Sequence, residues 1–189
     1  MRRINGISNH SILEELKTFP LQAVIFGIIE NNNSGQIFEL TDKSIFIIET
    51  GCNEPFGFVA GELTQQGVDE IIHYVSQYDY PAIYTNPRYH SWFLKKGYDF
   101  LLRAEMHLEK SLLPDSKPTT YKIEPIQTLE LFEQTLSFKD TLGRYGTFEH
   151  FLKLGKGYVL RHHEKILSEA YADYIGRGFM EIGVITHSE

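Results

Sequence analysis

Short aromatic or β-branched runs alternate with turn-forming clusters along the first half of the chain. Leu21 to Glu30, Gln36 to Thr41, Ser44 to Thr50 and Pro55 to Gly61 read as strands, separated by Asn31-Asn32-Asn33-Ser34-Gly35 and Thr41-Asp42-Lys43. The pattern predicts an antiparallel meander. The period then changes. Val68, Ile71, Ile72 and Val75 fall at i, i+3, i+4 and i+7 behind a capping Thr64, predicting a helix whose apolar stripe packs on the sheet. Pro81 to Thr85 reads as a short strand. Asn86-Pro87 opens a second helix that ends near Gly97, and Tyr98 to Leu108 returns as a strand.

From Ser111 to Thr120 two prolines and several turn formers interrupt the pattern, predicting a domain boundary. Beyond it Tyr121 to Glu124 reads as a strand, and Leu129, Phe132 and Leu136 mark one face of a helix. Thr147 caps another helix carrying Phe148, Phe151 and Leu152, which Gly155 ends. Three strands follow, about Gly157 to His162, Lys165 to Ile175 and Gly178 to Thr186, with Gly176-Arg177-Gly178 supplying the last reversal. The expected fold class is α/β (α+β): mixed, mainly antiparallel sheets flanked by helices. The expected division is a domain over residues 1–112, a linker over 113–120 and a second domain over 121–189.

With 189 residues, 42% of them hydrophobic, the chain can bury sizeable cores. A net charge of -7 without a clustered basic face disfavours nucleic acid as a partner. The longest apolar stretch, Ala23 to Ile29, is far short of the roughly 20 residues that span a bilayer, so no membrane segment is expected. The single Cys52 permits no intrachain disulfide. With no secretory signal pattern at Met1-Arg2-Arg3-Ile4-Asn5, the default location is cytoplasmic.

The order of elements from Thr147, closing on Met180-Glu181-Ile182-Gly183-Val184-Ile185-Thr186-His187-Ser188-Glu189, resembles the first half of a GNAT acyltransferase domain. It is most similar to the GNAT acetyltransferase group with an additional N-terminal domain, in which this strand leads into an Arg-Gly-Lys-Gly type turn. The sequence given ends before such a turn, so the resemblance implies a domain truncated ahead of its acetyl-CoA phosphate loop and an incomplete, inactive form. Asn86-Pro87-Arg88-Tyr89-His90-Ser91-Trp92-Phe93-Leu94-Lys95-Lys96-Gly97-Tyr98 resembles the close of a GNAT domain, so residues 21–110 read as a degenerate copy. Its exit at Gly61-Glu62-Leu63-Thr64-Gln65-Gln66-Gly67 lacks the arginine and paired glycines of an acyl-CoA turn.

The resemblance implies transfer of an acetyl group from acetyl-CoA to a primary amine, with backbone groups near Val184, Ile185 and Thr186 pairing with the pantetheine arm. Glu181 is the candidate general base, because period-2 alternation puts it on one strand face with Phe179, Gly183 and Ile185. A strand carboxylate that is exposed or ion-paired with Arg177 is the competing reading of Glu181. No metal site is expected, since His162-His163 lie near a hairpin turn where neighbours point to opposite faces. Cys52 has no patterned base beside it, and Tyr74, Tyr78, Tyr80 and Tyr84 read as core and rim packing. The alternative function is a noncatalytic binding or oligomerisation module whose open C-terminal edge strand is completed by a partner, as in a homodimer.

Overall fold

The computed structural model describes residues 1–52, 54–101 and 120–187. Two sheets form. The first runs in the order β1 (Arg2–Ile4), β2 (Gly35–Glu39), β3 (Ile45–Glu49), β4 (Phe56–Ala60) and β5 (Ala82–Tyr84). Neighbours are antiparallel except β4 and β5, which are parallel. The second comprises β6 (Lys122–Pro125), β7 (Gly157–His162), β8 (Lys165–Gly176) and β9 (Phe179–Thr186), antiparallel throughout and in chain order.

Seven α-helices cover these sheets among the described residues: α1 (His10–Leu16), α2 (Gln22–Ile29), α3 (Gln65–Val75), α4 (His90–Leu94), α5 (Leu129–Glu133), α6 (Phe138–Tyr145) and α7 (Phe148–Leu154). β3 is buried along its whole length because both faces are covered. On one side Ile45 and Ile47 meet α1 and α2; on the other Phe46 and Ile48 meet α3 and α4. The expected Thr64 cap is present, its hydroxyl accepting from the Gly67 N–H at 3.2 Å. Thr147 likewise accepts from the His150 N–H at 3.1 Å.

The segment Leu21 to Glu30, expected as a strand, is instead the helix α2. Its Ala23, Val24, Ile25, Phe26 and Ile28 are all buried, because the helix lies between the first sheet and β8. A helix buried all round has no polar face, so its apolar run carries no 3.6-residue period that would set it apart from a strand. The contact with β8 is backbone to backbone. A β-carbon on Gly176 would overlap the Gly27 amide nitrogen, and one on Gly27 would stand 3.0 Å from the Ile175 carbonyl oxygen.

The asparagine cluster after α2 is also more than a turn. Asn33 Oδ1 accepts from the Ile175 N–H at 3.1 Å, and Asn32 Nδ2 donates to the Ile175 carbonyl at 3.2 Å. The Arg177 N–H in the β8–β9 turn donates to both Glu30 carboxylate oxygens at 3.1 Å. Arg177 also reaches Gln22 at 3.2 Å and lies over the Phe26 ring. Arg177 and Gly178 both take positive φ, as a two-residue hairpin turn requires.

Three further expectations change. Tyr98 to Leu101 form no strand, and the rest of that segment, with most of the expected linker, lies outside the described residues. In the second half Leu129 and Leu136 are exposed, whereas Leu131 and Phe132 are buried, so the core-facing stripe is shifted. His163 leaves the strand at φ 54°, which brings its ring to 4.3 Å from that of its neighbour His162 instead of to the opposite face. Tyr74 and Tyr78 pack on the core, Tyr84 stacks on Phe58, and Tyr80 is exposed.

Candidate active site

β9 is the outer strand of its sheet among the described residues, and its two faces differ. Ile182 and Val184 are exposed on one face, while Glu181, Gly183 and Ile185 alternate with them as half-buried positions on the other. The sequence periodicity therefore places Glu181 on the face it takes. Tyr171 lies opposite Gly183 and leans across it. A β-carbon on Gly183 would meet the Tyr171 ring at 2.6 Å and its hydroxyl at 2.8 Å, so the glycine makes room for that ring.

The backbone of β9 is directed by its pairing with β8. The His187 N–H donates to the Leu167 carbonyl at 2.8 Å. In an antiparallel ladder this bond fixes the alternation: Ile185 and Gly183 point their N–H and C=O toward β8, and Val184 and Thr186 point theirs away. Ser168 Oγ adds a bond to the Ile185 carbonyl at 2.9 Å. Of the three residues singled out for backbone pairing, Val184 and Thr186 face the free edge and Ile185 is engaged within the sheet.

Next to Glu181 the β8–β9 register slips between Ala172 and Tyr174, so Asp173 is the extra residue of a β-bulge. Arg144, from the last turn of α6, donates from Nη1 to Asp173 Oδ1 at 2.5 Å and from Nε to the Tyr174 hydroxyl at 2.8 Å. Its Nε also stands 3.7 Å from Oε1 of Glu49, a fully buried carboxylate at the end of β3. Cys52 Sγ donates to the other oxygen of Glu49 at 3.0 Å. Both halves of the chain thus contribute to one charged cluster.

Burial is the largest single influence on each charged group of this cluster, but not always the deciding one. It pushes Asp173 up to about 6; Arg144 opposes the rise, and the charges of Glu181, Glu49 and Asp140 add to it. Burial would lower Arg144, but the surrounding Tyr174, Asp173 and Glu49 outweigh it and raise the guanidinium further. Cys52 is pushed up to about 12, first by burial and then by Glu49, which disposes of a thiolate nucleophile at neutral pH. Tyr171 is raised to about 12 by burial.

At the other end of β9, His187 Nε2 lies 3.0 Å from Glu169 Oε2. Glu169 is almost fully buried and also accepts from the Leu136 and Ser137 N–H groups at 2.9 and 2.7 Å, at the start of α6. Burial alone would raise its pKa, but these donors together hold the carboxyl below its ordinary range. Glu169, Tyr171 and Asp173 join the site only in the folded chain. Period-2 spacing along β8 marks Glu169 and Tyr171, whereas the bulge puts Asp173 out of step and nothing local marks Arg144 as its partner. Among the described residues no group of three or more His, Cys, Asp or Glu could hold a metal ion, and no helix is long and apolar enough to cross a membrane.

Comparison with known proteins bears on the fold and the family. No curated protein matches the chain. Among solved structures, a GCN5-related N-acetyltransferase-like protein from Streptococcus suis 89/1591 superposes with a TM-score of 0.66 at 19% identity, covering 93% of this chain and 76% of that one. At that identity the likeness is one of fold. A sequence model described as GNAT acetyltransferase matches residues 14–189. The chain belongs to the GNAT acetyltransferase family.

Proposed function

We propose that this chain takes part in N-acetyl transfer from acetyl-CoA to a primary amine, with the free edge of β9 as the line along which the two substrates meet. The observation that carries this reading is the division of labour along one strand. Glu181 stands near its start, and the backbone of Val184 and Thr186 is presented outward beyond it. An extended pantetheine arm carries amide groups that pair with such an edge as another strand would. Outward N–H and C=O groups at alternate residues, beside the exposed Val184 side chain, fit that requirement.

The chemistry then runs toward Glu181. The amine must lose a proton before its nitrogen attacks the thioester carbonyl carbon, and a half-buried carboxylate beside Asp173 is placed to accept it. The C–N bond forms and the C–S bond breaks. The sulfur leaves as a thiolate that takes up a proton.

Titration calorimetry with acetyl-CoA tests the reading, using wild type and Val184→Pro. The variant removes an outward N–H while sparing the β8 ladder. Saturable binding, weakened about tenfold by the substitution as expected for loss of one ordered hydrogen bond, supports it. Absence of binding by the wild-type chain, or equal affinity for the variant, sinks it.

A further inference from the structure

Among the described residues four tyrosines are buried, and three of them have hydrogen-bonded hydroxyls. Tyr89 donates to the Gly61 carbonyl at 3.2 Å, Tyr145 donates to the Ala172 carbonyl at 3.1 Å, and Tyr174 accepts from Arg144 Nε at 2.8 Å. Tyr171, only 8% exposed, makes no hydrogen bond among the described residues. Leaving a buried hydroxyl without a partner costs free energy, so a buried tyrosine ordinarily finds one. Nor is the oxygen shut in, since it is not one of the sealed polar atoms that lack a partner. The ring is buried while its one donor stays open.

That donor is aimed over β9. Tyr171 pairs with Gly183 across the β8–β9 ladder, and its hydroxyl lies 2.8 Å from the point that a Gly183 β-carbon would occupy. A hydroxyl above β9 stands one strand spacing, about 4.7–4.9 Å, closer to the free edge than the backbone of β8 does. At this point the strand itself offers the edge nothing, because Gly183 turns its N–H and C=O toward β8. Burial pushes the phenol up to about 12, so at neutral pH it carries its proton.

We propose that the Tyr171 hydroxyl is a catalytic group of this site, donating a hydrogen bond to the thioester carbonyl oxygen of an acetyl-CoA laid along the free edge of β9. This role rests on the acetyl-transfer reading and supplies a donor which that reading leaves unassigned. When the amine nitrogen attacks, the C–N bond forms and the carbonyl π pair moves onto oxygen, where the Tyr171 O–H stabilises the developing charge. The pair then returns and the C–S bond breaks; the proton shed by the nitrogen balances the one taken up by the thiolate. Tyr171 keeps its own proton throughout. Gly183 is a positioning residue, leaving room for the ring to lean over the strand.

The test compares acetyl-CoA with CoA, which lacks the carbonyl, by titration calorimetry on the wild-type chain, Tyr171→Phe and Gly183→Ala, with thermal melts verifying that each variant folds. Tyr171→Phe keeps the ring and removes only the donor. It should weaken acetyl-CoA about fivefold, the share of one hydrogen bond, and leave CoA unchanged. Gly183→Ala, which pushes the ring aside, should lose the same discrimination. Infrared spectra of acetyl-CoA labelled with carbon-13 at the carbonyl read the contact directly: the stretch should fall to lower frequency on binding to the wild type and stay higher in Tyr171→Phe. Equal weakening of both ligands by Tyr171→Phe, or of neither, overturns the assignment, as does an unshifted carbonyl band in the wild-type complex. If the wild type binds neither ligand, the acetyl-transfer reading falls and this contact with it; if it binds acetyl-CoA and Tyr171→Phe discriminates as the wild type does, only the contact falls.

Discussion

The carbonyl oxygen of Gly51 occupies the space that a side chain on Gly143 would need, and a β-carbon on Gly51 would in turn stand 2.7 Å from the backbone of Arg144. The turn after β3 and the helix α6 therefore meet main chain to main chain, and this approach brings Glu49 within reach of Arg144. Gly143→Ala should lower stability by about 1–3 kcal/mol or more, as overpacking against backbone does. Gly6→Ala, where the added carbon meets nothing within 4 Å, serves as the control in the same denaturant melts.

Glu169 joins β8, the start of α6 and the end of β9 through one buried carboxylate. Glu169→Gln removes the charge and replaces one of the two acceptor oxygens with a donor, which in either amide orientation faces one of the two N–H groups, and should cost about 2–4 kcal/mol at neutral pH. The pH dependence has a definite sign. The folded pKa lies below the unfolded one, so the carboxylate's contribution is fully present above the ordinary glutamate range and is lost as pH falls through the depressed folded value. The stability gap between wild type and variant should therefore narrow toward acid; a gap independent of pH would show that ionised Glu169 is not the source.

Asp173 behaves in the opposite sense. Its folded pKa, about 6, exceeds the ordinary aspartate value of 3.8, so its ionisation opposes folding above pH 6 and that cost disappears as pH falls toward the unfolded value. Carbon-detected NMR titration should find one carboxyl titrating near 6. Because Glu181 contributes to the rise and Arg144 opposes it, Glu181→Gln should move that midpoint down. A midpoint that rises or stays fixed in the variant would separate the two carboxylates electrostatically.

Cys52 should be nearly inert. With a thiol pushed up to about 12 and donating to Glu49, only ~10⁻⁴ of it is thiolate at pH 8, and alkylation by iodoacetamide should be far slower than for an ordinary cysteine. Glu49→Gln removes the acceptor charge and should speed the reaction; an unchanged rate would leave burial as its sole control.

Much of this architecture was legible because local chemistry dictates it. Thr64 and Thr147 cap where side-chain oxygens precede an apolar period, and the last three strands follow from alternation and a glycine-flanked reversal. The unread parts depend on partners distant in sequence. Ala23 to Ile28 form a helix because β8 covers a side that would otherwise be polar. Asn32 and Asn33 hold the end of β8 as well as turning the chain. α1 buries only Ile12 and Leu16 and α6 only Thr141 and Tyr145, too few apolar positions for a stripe to declare itself. The position of Glu181 on its strand face could be read; Asp173 beside it could not, since a bulge is a mismatch between two strands and is absent from either one alone.

The enclosure of α2 also sets an order of events during synthesis. Its apolar residues leave the ribosome long before their cover exists: Asn32 and its partner Ile175 are 143 residues apart. At about 5–20 residues per second, a greasy helix waits roughly 7–30 s in water for the strand that encloses it. A nascent chain of this design is most vulnerable to aggregation in that interval, and slowing elongation between the two segments should increase its dependence on chaperones.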